Sequence, residues 1–145
     1  MSIVWDDRHI HYNKFLPLLS SMNLNTQPPS RGELLKWINK RLPSAKVDKV
    51  ERLGNGVAFL QLMNIVYPNC IKANKINFNA NLDYENIANF KLLAAAFAEK
   101  SIKYCVDVVR LANRKYQDNL CLLQFMHKLV EENAGSEGNG DGQGK

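Results

Sequence analysis

No apolar run in the 145 residues approaches the roughly 18 that a membrane span needs. No membrane partner is therefore expected. The opening Met1-Ser2-Ile3-Val4-Trp5-Asp6-Asp7 lacks a basic region followed by an apolar stretch and a small-residue cleavage site, so it does not read as a signal peptide. Cysteine is scarce: Cys70, Cys105 and Cys121 are odd in number, widely spaced and without a CxxC pair. That excludes a disulfide framework and a Cys-rich zinc site, and all three are expected to be small core residues in a reducing compartment. No asparagine has Ser or Thr two positions on, which fits a cytoplasmic location.

Catalytic and cofactor signals are also missing. Gly54-Asn55-Gly56 lacks the third glycine of a dinucleotide fingerprint and follows no strand, and there is no P-loop. It reads as a helix terminator. His9 and His11 bracket one residue, but no further ligand follows at metal-binding spacing. His127 has no nearby Ser or Cys in an exposed turn with which to form a nucleophile–base pair. Asp6-Asp7 and Asp83/Glu85 are carboxylate pairs, yet a glycosidase pair needs a deep cleft that short helices seldom provide. The expectation is a non-enzymatic protein without cofactor or metal.

What is present is one domain's worth of chain, 46% apolar and 23% charged, enough to fill a core. The run 135–145 holds five of the eight glycines, and a flexible Gly-rich tail is expected over 134–145. Residues 1–29 carry Trp5, Ile10, Tyr12, Phe15, Leu16, Leu18 and Leu19 but are broken by Pro17 and Pro28-Pro29. They read as a partly ordered extension packed against a domain over 30–133.

Apolar spacing predicts an all-α fold, a compact bundle of about four main helices plus short ones. Ser30-Arg31-Gly32-Glu33 is a capping box, and Leu34, Trp37, Ile38 and Leu42 follow on one side until Pro43. Val47, Val50 and Leu53 space a short helical segment ending at Gly54-Asn55-Gly56. Residues 57–67 are apolar nearly all round, as befits a helix in mid-core, and Pro68 stops them. The Asn-rich stretch 69–86 reads as a loop pinned by Ile71, Ile76, Phe78 and Leu82. From Asn86, a stripe of Ile87, Phe90, Leu93, Ala94 and Phe97 predicts a helix to about Lys100. Val106, Val109 and Leu111 suggest a short helix. Asp118 or Asn119 is a candidate cap for a last helix that turns Leu120, Leu123, Phe125, Met126, Leu129 and Val130 inward.

The net charge of +5 is uneven: residues 30–134 hold 16 basic and 10 acidic side chains. Such a module suits an acidic partner. Lys72, Lys75, Lys91, Lys103, Arg110, Arg114 and Lys115 lie in the second half and, with Gln117 and Asn119, could form a polar docking face. Nucleic acid is not expected, because neither interleaved aromatics nor a helix-turn-helix signature accompanies the charge.

The strings Arg31-Gly32-Glu33-Leu34-Leu35-Lys36-Trp37-Ile38-Asn39 and Lys49-Val50-Glu51-Arg52-Leu53-Gly54-Asn55-Gly56-Val57-Ala58, with Gln61-Leu62-Met63, resemble the calponin-homology domain of the microtubule end-binding proteins. The likeness is sharpest at Asn89-Phe90-Lys91-Leu92-Leu93 and at Lys115-Tyr116-Gln117-Asp118-Asn119-Leu120, followed by Leu123-Gln124-Phe125. It covers residues 30–131 in order. The resemblance implies a plus-end-tracking module that docks on the tubulin lattice, regulates microtubule dynamics and resides on the cytoskeleton, at microtubule plus ends and the spindle or flagellar tip. It assigns lattice-facing basic or polar roles to Arg31, Lys75, Lys91, Arg110, Lys115 and Gln117. Tubulin is acidic, so cations would raise the on-rate and Gln117 would select geometry at short range.

The sequence departs from the family where basic residues are common, at Asn74, Asn77, Asn81 and Tyr104. Asp107 stands where Pro is frequent, Phe125 where Trp is, and Arg114 where Gly is. No heptads follow residue 133, so this chain is expected to be a monomer, while the resemblance implies a coiled-coil dimer for a longer protein. The alternative is a calponin-homology module for actin or another cytoskeletal, kinetochore or flagellar partner.

Overall fold

Residues 28–144 are described in a computed structural model, with side chains described over 28–133. The expectations for residues 1–27, including the packed extension, His9/His11 and Asp6-Asp7, lie outside the described residues; the stretch expected as a tail over 134–145 is described to Gly144 in its backbone alone, as the end of the last helix. Five α-helices follow in order: α1 (Arg31–Arg41), α2 (Val57–Val66), α3 (Asp83–Glu99), α4 (Val108–Ala112) and α5 (Tyr116–Gly144). Short 3-10 turns at Pro43–Ala45, Val50–Asn55 and Ala73–Lys75 punctuate the connections, and no strand is present among the described residues.

Local chemistry accounts for the helix ends. The Ser30 hydroxyl accepts from the Glu33 amide at 3.2 Å while Glu33 accepts from the Ser30 amide at 2.9 Å, which removes two orphan donors from the start of α1. Lys40 and Arg41 sit in its last turn, where the helix dipole favours cations. Gly56 has φ +81°, a left-handed turn that lets α2 start immediately after the 3-10 segment. A side chain there would also meet the Asn89 Cβ at 3.0 Å. Helix α2 buries Ala58, Phe59, Leu60, Leu62, Met63 and Val66. It packs against both α3 and α5, so its all-round apolar surface has somewhere to go. The Phe59 and Phe90 rings lie 6.0 Å apart, and Phe97 stands 6.0 Å from Phe125.

Asparagines hold the connections to this bundle. Asn39 donates to the Val47 carbonyl and accepts from its amide, both at 2.7 Å. Asn64 does the same to Ile71, both at 2.9 Å. Asn89 clasps Asn77 at 3.0 and 3.1 Å and also donates to the Asn55 carbonyl at 2.8 Å. Each carboxamide thus imitates a strand partner for one loop residue, satisfying backbone groups that no sheet is available to pair. Val47, Ile71 and Ile76 are thereby held in the core.

Several expectations need correction. Phe78 and Leu82 do not pin the loop: they are 48% and 52% exposed, while Ile76 and Ala80 take the inward positions. Helix α3 begins at Asp83 rather than Asn86, because the Glu85 carboxylate accepts from the Asn81 and Leu82 amides at 2.9 and 3.0 Å and caps an earlier start. Those same amides hold the Glu85 carboxyl below its usual range. In α4, Leu111 and Ala112 face inward and Val109 does not. Neither Asp118 nor Asn119 caps α5, which starts at Tyr116. Asn119 is wholly buried and turns its amide to the Leu111 and Lys115 carbonyls at 3.2 and 2.9 Å. Of the cysteines only Cys121 is a core residue. Cys70 is half-buried and Cys105 is exposed.

Helices α1 and α5 are tied by Glu131, whose carboxylate accepts from the Trp37 indole at 2.8 Å and the Arg41 guanidinium at 2.9 Å. The His127 ring packs edge-on to Trp37 at 4.8 Å, with its Nδ1 buried and unpartnered. Burial pushes the His127 pKa down. Burial pushes Glu131 up, but the bonds from Trp37 and Arg41 outweigh it and leave its pKa lowered. Both groups bind protons less readily folded than unfolded, so their stabilisation is complete above about pH 6.5 and fades as pH falls, His127 first and Glu131 in the carboxylate range. Thermal midpoints measured from pH 7 to pH 4 are expected to decline. A His127→Gln variant should remove the first part of the decline, just below about pH 6.5; an unaltered slope there would contradict this assignment.

Candidate functional site

The cationic residues singled out from the sequence occupy distinct places. Arg31 is the exposed first residue of α1. Lys72 and Lys75 bracket the 3-10 turn before the Asn77 clasp, and Lys91 is exposed on α3. Lys103 is exposed in the connection that follows α3. Arg110, Arg114, Lys115 and Gln117 crowd the corner between α4 and α5.

That corner is joined to the loop before α3. Arg114 adopts φ +61°, in the left-handed region, and aims its guanidinium at the Glu51 carbonyl (3.4 Å) and the Asn81 side chain (3.5 Å). Its aliphatic stem lies on Gly54, where an added Cβ would collide with the Arg114 Cγ and meet the Arg114 Cα at 3.0 Å. Glycine at position 54 is therefore required by close approach, beyond its part in ending a helix. Asn77 lies two residues after exposed Lys75, and its clasp Asn89 lies two residues before Lys91, a helical spacing that turns exposed Lys91 to the opposite side from buried Asn89. Of the cations, Arg114 bonds to that loop, Lys75 precedes the Asn77 clasp in the chain, and Lys115 follows Arg114. Among the described residues no hydrogen bond or ion pair from a side chain ties Arg31, Lys72, Lys75, Lys91, Lys103 or Lys115 to the loop.

The cations are not equally available. Arg110 places its Nε 3.0 Å from both oxygens of Asp118, and that pairing raises its pKa. Asp107 caps α4 by accepting from the Arg110 amide at 3.2 Å. Arg114 is half-buried and already bonded. Lys72, Lys75, Lys91, Lys103 and Lys115 are exposed and enter no ion pair among the described residues. Gln117 is exposed, with only a 3.6 Å contact from its amide to the Cys121 sulfur. The arrangement can attract an anionic surface with its lysines while Arg110 and Arg114 serve the fold.

No three His, Cys, Asp or Glu side chains among the described residues are grouped to hold a metal, and no helix is long and apolar enough to cross a membrane. An open cleft of about 560 Å³ is lined by Lys46, Val57, Gln61 and Phe78, among others.

Residues 28–134 match the family described as the calponin homology (CH) domain. The chain belongs to the calponin-homology family. The calponin-homology domain here is also similar to a chain from a solved structure described as "Structural Basis of Microtubule Plus End Tracking by XMAP215, CLIP-170 and EB1". The two are 37% identical with a TM-score of 0.66, over 71% of this chain and 86% of that one. Calponin-homology domains are binding modules, which fits a site made of exposed cations and amides. Sequence reasoning missed Asn81 and Asn89, which shape the site by bonding, and Tyr84, which is exposed beside it.

Proposed function

We propose that this domain is a non-enzymatic microtubule-binding module of the end-binding type, docking the face around Lys75, Lys91, Lys115 and Gln117 on the tubulin lattice. The observation that carries the reading is the set of exposed lysines, Lys75, Lys91 and Lys115, outside any ion pair among the described residues, in a chain 37% identical to one from a study of plus-end tracking. Tubulin is acidic, so the lysines supply attraction that acts before contact, and Gln117 supplies a directional bond after it. Arg31, Lys72 and Lys103 contribute to the wider field, and Arg110 and Arg114 act by holding the corner. On this reading the protein works on the cytoskeleton, at growing microtubule ends, and influences their dynamics as a binder. The chain acts as a monomer, and a longer protein would supply dimerisation.

Co-sedimentation of the full chain with microtubules tests this. Raising ionic strength from about 0.01 M to about 0.15 M shortens the screening length from about 30 Å to about 8 Å, and binding is expected to weaken about ten-fold or more. Absent pelleting, or pelleting indifferent to salt, would overturn it. Imaging a labelled copy on dynamic microtubules separates end tracking, which is expected, from uniform decoration.

A further inference from the structure

The loop before α3 and the first turn of α3 carry large apolar side chains turned to solvent. Phe78, Leu82 and Tyr84 are 48%, 52% and 69% exposed, three of the four large hydrophobics so exposed among the described residues, and they fall within seven positions. Isolated exposed apolar residues need no explanation, but three so close in the chain, across one hydrogen-bonded loop–helix junction, do. This loop is rigid. Asn89 clasps Asn77, Glu85 caps Asn81 and Leu82, and Arg114 reaches Asn81. Tyr84 and Lys91 are seven positions apart on α3, and so lie on one stripe of the helix, with exposed Ala88 between them.

We infer that Phe78, Leu82 and Tyr84 form the apolar centre of the tubulin-docking face, with Lys75, Lys91 and Lys115 as its charged rim. This rests on the microtubule-binding reading. The occupant is an acidic tubulin surface offering apolar side chains at its middle, argued from exposed Lys91 on the same α3 stripe as Tyr84 and exposed Lys75 three residues before Phe78. The two kinds of residue do different work. Rim cations govern encounter and salt sensitivity, whereas buried aromatic and aliphatic anchors govern how long the complex lasts. Phe78 also walls the cleft that Val57 and Gln61 line, which gives a partner's side chain a recess beside the patch.

The test is co-sedimentation of the full chain carrying Tyr84→Ala or Leu82→Ala, with affinity measured over a series of salt concentrations. Because both side chains are half or more exposed, thermal unfolding should be nearly that of the parent. The Tyr84→Ala variant is expected to bind about ten-fold or more weakly, with the slope of affinity against salt unchanged, through faster dissociation. An affinity within about two-fold of the parent for both variants would overturn the inference while leaving the microtubule-binding reading standing. Failure of the parent chain to pellet would instead overturn that reading. Sedimentation equilibrium covers the other occupant: a dimer of the parent chain that Tyr84→Ala dissolves would assign the patch to self-association and sink the tubulin assignment.

Discussion

An Asn89→Leu variant is expected to lose about 3–5 kcal/mol of stability, seen as a fall in thermal midpoint of about 15 °C or more. Leucine nearly preserves the shape of the side chain, so no cavity opens against Phe90 and little packing is lost. What disappears is the pairing. Asn89 is 1% exposed and serves three backbone groups: the Asn55 carbonyl, the Asn77 carbonyl and the Asn77 amide. Each buried group left without a partner costs about 1–3 kcal/mol, and the sum is reduced here because the loop can open to water. That opening would release Ile76 from the core and unfix the loop between Lys75 and Lys91. The damage is therefore structural and functional together. Circular dichroism melts check it, and a midpoint within about 5 °C of the parent would contradict the role given to this clasp.

Asn89 also marks where legibility from sequence ends. The frame of the fold could be read: the Ser30–Glu33 box, the stripe of Leu34 and Ile38, the all-apolar α2 and the stripe of Phe90, Leu93 and Phe97 are local, periodic signals. The asparagine clasps could not. Asn39, Asn64 and Asn89 pair with residues eight, seven and twelve positions away. By propensity an asparagine within a helix reads only as a weak helix former. Phe78 and Leu82 were misplaced for a different reason: apolar residues fill cores, but an apolar residue need not be in one. The same limit applies to the site. Counting charges finds Arg110 and Arg114 beside Lys91 and Lys115, yet only coordinates show that the first two are engaged by Asp118, Glu51 and Asn81. Arg114 also shows how a departure from the family pattern is absorbed. A non-glycine residue at φ +61° costs free energy, and its side chain offsets that cost by bridging two segments.

Reversing two lysines, Lys91→Glu with Lys115→Glu, is expected to weaken microtubule binding by up to about a thousand-fold. Both are exposed and outside any ion pair among the described residues, so the fold should tolerate the change. An exposed charge contact is worth about 1 kcal/mol or less, and reversal replaces that attraction with a repulsion of similar size. Two sites then amount to about 4 kcal/mol, close to three factors of ten. The comparison variant is Arg110→Gln. The Arg110 guanidinium is held by Asp118 at 3.0 Å rather than free to contact the lattice, so losing this one charge should weaken binding about five-fold or less, through the long-range field alone. Because reversal acts chiefly through long-range attraction, the double variant should lose most at low salt and approach the parent as salt rises. Affinities from co-sedimentation across salt decide the matter. If the double variant binds within about three-fold of the parent while Arg110→Gln fails to bind, the docking face lies on the α4 side of the corner rather than along the loop between Lys75 and Lys91.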